Sequence, residues 1–184
     1  ACEKAYSGTL GCFALHGNGA DRGRWTWDGT PRFRPLGEFL SLALFGSRDL
    51  RLTYDRGGGL RFDDAAGHTD FRAALSGYDA FHGTEFGRRG LPRSPEMVLG
   101  LLDNYLHLRV HDQKTIALTI DFAETIAPAG EASGLSGEDR NALVILKRWA
   151  SDPAFLRADV TLCLVADNLV ELNPGLLQTP GVAE

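Results

Sequence analysis

Apolar residues along this chain recur in two periods, and the period switches back and forth. Leu10 to His16 is a short apolar run, and Gly17-Asn18-Gly19-Ala20-Asp21 follows it with turn chemistry, which predicts a first strand. From Pro35 the spacing becomes helical: Leu36, Phe39, Leu40, Ala43 and Leu44 share one face until Gly46 closes the segment. Leu50 to Tyr54 alternates, Gly57-Gly58-Gly59 turns, and Leu60-Arg61-Phe62 resumes, which suits a strand or small hairpin. Ser94-Pro95-Glu96 reads as a helix start with Ser94 as cap, and Met97, Leu101, Leu102, Tyr105 and Leu106 supply a buried stripe. Thr115 to Ile120 is a β-rich run ending at Asp121. After a loop rich in Gly, Pro, Ala and Ser, a further helix begins at Ser136 or Gly137, with Leu143, Val144, Leu146 and Trp149-Ala150 as its apolar stripe. Val160 to Ala166 is a near-continuous apolar strand. Residues 63–95 show little periodicity and are expected to form a long excursion with at most one helical turn, near Phe71 to Leu75.

Strands apolar on both faces, alternating with helices, predict an α/β fold with a largely parallel sheet covered by helices. At 184 residues with 43% hydrophobic content, one core and one domain spanning residues 1–184 are expected. The chain begins at Ala1 and stops at Glu184 without a closing element, which suggests part of a longer protein. Its longest apolar runs have strand length, so no membrane partner is expected. Three widely spaced cysteines fit no zinc or redox motif, and Cys163 sits in an apolar run as a core residue would, so a reducing cytoplasm is the expected location. A net charge of −5 without a Lys/Arg stripe argues against a nucleic-acid surface, although Arg22, Arg24, Arg32 and Arg34, and Arg88-Arg89 with Arg93, are locally basic. The five histidines fit no HExxH or paired-cysteine spacing.

In open α/β sheets the ligand crevice lies outside the carboxyl ends of the strands, so polar residues there come first. Asp121 follows Ile116 to Ile120, with Glu124 three residues later. A carboxylate so placed can hold Mg²⁺, and the second can orient a water nucleophile. Asn168, just past the next strand, could hydrogen-bond a γ-phosphate. The plainer reading is that Asp121 and Asn168 cap turns. Two other features stand apart: the alternating Trp25-Thr26-Trp27, which suits an edge strand, and the aromatic and basic stretch from Phe81 to Gly90.

The order of apolar strand, Asp121, loop, helix, strand with Asn168, then Asn173-Pro174-Gly175-Leu176-Leu177, resembles the second half of an AAA-family ATPase core. The resemblance covers Thr115 to Glu184. It implies a three-layer α/β/α fold like that of P-loop NTPases. Asp121 would sit at the Walker B position as Mg²⁺ ligand and, with Glu124, as catalytic carboxylate. Asn168 would be the sensor residue on the nucleotide, and Gly17, Gly19 and Arg22 would lie on the phosphate side. The chain departs from the family elsewhere. A phosphate-binding loop needs G-x-x-x-x-G-K-[ST], and no Gly-Lys pair occurs in these residues. Phe122, where Walker B usually carries its glutamate, displaces the second acid to Glu124, and no arginine finger stands in Gln178 to Gly181. The resemblance therefore implies a degenerate nucleotide site that binds ATP and Mg²⁺ weakly or not at all. Its role would be assembly or substrate engagement beside copies of itself, an adjoining ATPase domain or other protein partners. The competing readings are a non-catalytic α/β interaction module presenting residues 63–95, and a metal-dependent hydrolase using Asp121 and Glu124.

Overall fold

In the computed structural model, residues 11–17, 22–27, 29–131 and 133–183 are described. The chain runs through β1 (Cys12–His16), β2 (Arg22–Trp27), β3 (Thr30–Pro35), α1 (Leu36–Ala43), β4 (Leu50–Asp55), β5 (Gly59–Phe62), α2 (Ala65–His82), α3 (Phe86–Arg89) and α4 (Pro95–His111). It continues through β6 (Ile116–Ile120), a 3₁₀ turn (Ala123–Thr125), α5 (Gly137–Ser151), α6 (Pro153–Arg157), β7 (Val160–Ala166), a second 3₁₀ turn (Leu169–Glu171), α7 (Pro174–Leu177) and β8 (Val182–Ala183). The main sheet has six strands in the order β5-β4-β6-β7-β1-β8. All neighbours in it are parallel except the β4–β5 hairpin. The fold is thus the largely parallel, helix-flanked α/β sheet that the hydrophobic pattern predicts.

Side chains alternate across the sheet, and the two faces are covered unequally. Leu50, Leu52 and Tyr54 of β4, Ile116, Leu118 and Ile120 of β6, and Leu162 and Leu164 of β7 enter the larger core with α2, α4, α5 and α6. On the other face Ala117, Cys163 and Val165 meet Leu40 and Phe45 of α1 and the residues just after it. The β2–β3 hairpin forms its own two-stranded sheet against α1. Gly23 makes this approach possible, since a Cβ there would overlap the Phe39 ring. Trp25 and Thr26 therefore lie in a strand, as their alternation suggests.

Three expectations need correction. Residues 63–95 carry the 18-residue helix α2, not a loop with one turn. Asp64 caps it by accepting from the Gly67 N–H at 2.7 Å, and Gly83, at φ 67, ends it in the left-handed conformation. Its narrow stripe buries Phe71 and Leu75, with Phe71 edge-on to Tyr105 at 5.1 Å. Ser94 stands at the cap position of α4, but its side chain makes no capping bond. Met97 and Val144, assigned to buried stripes, are 50% and 55% exposed, and Val98 and Leu99 fill the position expected for Met97. The phase of α4 is fixed instead by α5: Trp149 is buried between them and donates its Nε1–H to Asp103 Oδ1 at 2.6 Å.

No helix among the described residues is long and apolar enough to cross a membrane. Because Leu102 is fully buried and Met97 is not, Leu102→Ala is expected to cost about 2 to 5 kcal/mol. Met97→Ala is expected to stay within about 0.5 kcal/mol of the parent. Urea denaturation of the two variants checks the helical phase directly.

Candidate functional site

β6 is buried along all five residues, and its carboxyl end delivers Asp121 to the edge of the sheet. The Asp121 N–H donates to the Tyr54 carbonyl at 2.9 Å, which extends the ladder with β4 one residue past the strand. Phe122 then takes φ 52, ψ 46, a left-handed conformation uncommon for an aromatic residue, and reverses the chain into the Ala123–Thr125 turn. That turn is anchored by Ala123, Ile126 and Ala127, all fully buried. It leaves the Phe122 ring about half exposed beside the edge.

Asp121 is 20% exposed and has few hydrogen-bond donors. The Arg61 guanidinium lies 3.8 Å from its Oδ2, but the same group holds Asp55 at 2.6 Å. α1 closes over it from the other side, where a Cβ on Gly37 would stand 2.9 Å from Asp121 Oδ2. Burial pushes the Asp121 carboxyl above the ordinary range; the Arg61 charge offsets this in part, and the Asp55 charge adds to it. Asp55 moves the other way. Its burial acts upward, but the Gly58 N–H and the Arg61 side chain outweigh it and hold the carboxyl low. Two carboxylates therefore share one guanidinium unequally, and Asp121 receives the smaller part.

A small hollow of about 180 Å³ opens at this edge between β6 and β7, lined by Leu36, Gly37, Asp121, Phe122, Val165 and Asp167. The adjacent, parallel β6 and β7 point Asp121 and Asn168 to the same edge, with Ile120 in register with Leu164. Asn168 does not line the hollow. Its side chain accepts from the Val170 N–H at 3.2 Å, an Asx-turn at the head of the second 3₁₀ turn. Glu124 lies on the first 3₁₀ turn, and its Oε2 is buried without a hydrogen-bond partner among the described residues. Gly17 remains in the ladder, donating to the Ala166 carbonyl at 3.2 Å. Arg22 is exposed and paired across the hairpin with Pro35, in a strand rather than a glycine loop. Gly19 falls outside the described residues. The structure thus gathers Asp121 and Asn168 at one edge, while Arg22 belongs to the hairpin.

Sequence reading missed Arg61, Asp55 and Gly37. Arg61 could have been found from the hairpin itself: closing the turn at Gly57-Gly58 places Thr53 opposite Arg61. Gly37 had no local signal, because its role comes from α1 meeting a strand end far along the chain.

The chain matches the family described as AAA+ chaperone, N-terminal Rossmann-like domain, over residues 2–184. A search of curated proteins found no match. Among solved structures it resembles a chain of the E. coli MS115-1 HORMA:CdnC:Trip13 complex, with a TM-score of 0.51 and 15% identity. The match covers 94% of this chain and 46% of the other, so this chain spans about half that length. At this identity the likeness concerns the fold.

Because the folded Asp121 carboxyl is raised, its contribution to stability is complete below the ordinary carboxylate pKa of about 4 and is lost as pH rises through the folded value. Asparagine keeps the uncharged form at every pH. The stability gained by Asp121→Asn over the parent is therefore expected to be small near pH 3 and to grow by pH 7, as measured by urea denaturation across the range. A gain independent of pH would show that the carboxyl is not held in this strained ionisation.

Proposed function

Since the chain belongs to the family of AAA+ chaperone N-terminal Rossmann-like domains, we propose that it is a nucleotide-hydrolase-like domain with a degenerate site that serves assembly or substrate engagement within a larger AAA-family ATPase. The observation that carries this reading is the position of Asp121. The carboxylate at the Walker B position is enclosed by Gly37 in the first turn of α1 and neighboured by Arg61. A helix N-terminus is where a nucleotide phosphate would be expected to sit, since its free N–H groups and dipole favour anions. Here a carboxylate of the protein already lies against that end.

The remaining parts make a poor cradle for Mg²⁺ and ATP. A phosphate loop connects its strand to its helix directly, whereas the β2–β3 hairpin separates β1 from α1. The described part of that connection offers no lysine, and its cations are arginines of the hairpin, whose fixed guanidinium fork does not reproduce an ammonium. Asn168 spends its carboxamide oxygen on its own turn. Each charge-assisted phosphate contact contributes roughly 1.5 to 3 kcal/mol, so the absence of two or three lowers affinity by orders of magnitude. In this reading hydrolysis belongs to another domain, and this one contributes contacts to copies of itself, an adjoining ATPase domain or other proteins in the cytoplasm. The solved relative is part of a complex named for HORMA, CdnC and Trip13, which makes protein partners a reasonable expectation here.

Calorimetry with Mg·ATP and phosphate release over hours test this. The purified chain is expected to show no micromolar binding and no release above background. Micromolar binding with turnover that Asp121→Ala abolishes would overturn the proposal and establish a working, unorthodox phosphate site.

A further inference from the structure

Asp121 is a wall between two hollows. The larger, about 530 Å³, lies on the thinly covered face of the sheet between α1 and the β4–β5 hairpin, and its lining includes Glu38, Ser41, Thr53, Arg61, Asp63 and Asp121. Its size falls in the range of sites that hold small molecules. Three of these side chains are carboxylates and one is a guanidinium. The guanidinium also lines the hollow, but Arg61 is shared between Asp55 at 2.6 Å and Asp121 at 3.8 Å, so one positive charge faces three carboxylates there. Glu38 is paired with Arg34 at 3.1 Å, and both are exposed enough for solvent to weaken the pair. Asp63 is exposed at the mouth and receives one hydrogen bond, from the Ser41 hydroxyl. The hollow therefore keeps an excess of negative charge.

Its floor supplies a separate observation. Thr53 is 7% exposed, lines the hollow, and its hydroxyl has no hydrogen-bond partner among the described residues. The oxygen is not sealed among buried side chains and opens into the hollow. A hydroxyl left open beneath a ring of carboxylates calls for a ligand that brings hydrogen-bonding groups and positive charge together. A metal ion fits less well, because no group of three or more His, Cys, Asp or Glu among the described residues is placed to hold one.

We propose that this hollow is a binding site for a small organic cation bearing a guanidinium or primary ammonium group. The head enters between Asp63 and Asp121, its N–H groups donate to their oxygens and to the Thr53 hydroxyl, and the apolar stem lies against Leu42 and Phe62. A charged head donating several hydrogen bonds to spaced carboxylates is the arrangement that makes such contacts strong. The raised carboxyl of Asp121 agrees with this, because a bound cation would supply the charge that Arg61 gives only in part. The site shares Asp121 with the nucleotide reading, but Thr53 and Asp63, its floor and mouth, have no part in that reading, so the variants at these two positions test it separately.

The test is a titration of the isotopically labelled chain followed by amide NMR. The probes are n-propylammonium and methylguanidinium, with n-propanol and methylurea as neutral controls of similar shape. The cations are expected to shift the amides of Gly37, Ser41 and Thr53 with saturation, and the neutral controls are not. Asp63→Asn should raise the dissociation constant about threefold to fivefold. Thr53→Val, which keeps the strand and removes only the open hydroxyl, should raise it about threefold to tenfold. A third arm uses the tripeptide acetyl-Gly-Arg-Gly-amide: tighter binding than methylguanidinium assigns the cation to a protein side chain, and weaker binding to a free metabolite. Equal shifts from propanol and propylammonium would overturn the proposal. So would dissociation constants unchanged within twofold in both variants while spectra elsewhere stay those of the parent.

Discussion

Strands buried on both faces can satisfy their backbone groups only through neighbouring strands, because no water reaches them. β6 and β7 are in this position along their whole length, so their parallel pairing from Ile116–Val160 to Ile120–Leu164 is the constraint from which the rest of the architecture follows. A parallel pair needs a crossover, and α5 and α6 supply it, covering one face with Leu146, Trp149 and Phe155. Their outer edges must be paired too, and β4 and β1 take those places. Both carboxyl ends then emerge side by side. This is why Asp121 and Asn168, 47 positions apart in the numbering of the chain, reach a single edge of the sheet.

At that edge the fold sets burial against charge. Asp121 leaves a fully buried strand and meets α1, so it is desolvated without a dedicated partner, while Asp55 has backbone and side-chain donors. The difference arises from where each carboxylate leaves its strand. Asp55 ends β4 at a tight turn whose Gly58 N–H points back at it. Asp121 leaves β6 into a turn at Phe122 where the Thr125 and Ile126 N–H groups donate to the Phe122 and Ala123 carbonyls instead. Similar chemistry in neighbouring strands thus acquires opposite ionisation behaviour from how each strand end is buried and which donors its turn and Arg61 supply.

Much of this was legible in the sequence, and the failures have common causes. Val160 to Ala166 is apolar at every position but Thr161, and a strand buried on both faces explains that, so its bounds coincide with β7. Helix α2 was hidden because its buried face is narrow and Gly67 and Gly77 interrupt the residues around Phe71 and Leu75. Caps outside the periodic stretch, Asp64 and Gly83, define it better than its interior does. Met97, Val98 and Leu99 are consecutive and apolar, so periodicity could not decide which of them faces inward; α5 decides it. At the site, Asp121 was recognisable as a strand-end acid and Asn168 as either a sensor or a turn residue. Gly37 and Thr53 carry no motif and Arg61 only its register in the hairpin, because their relation to Asp121 is created by α1 and the β4–β5 hairpin meeting beside it.

The place of β1 has a kinetic consequence. It lies between β7 and β8, two strands made from the far end of the sequence, so Cys12 must find both Leu162 and Val182 before its ladder is complete. Contacts this distant carry a large loop-closure cost and form after local ones. The hairpin β4–β5, the helices α2, α4 and α5, and the β6–β7 pair can assemble first and leave an open slot. Of the described strands, β1 is made first and is expected to gain its neighbours last. Until then Phe13 and Ala14 offer an unpaired apolar edge, the kind of segment that chaperones protect or that begins aggregation.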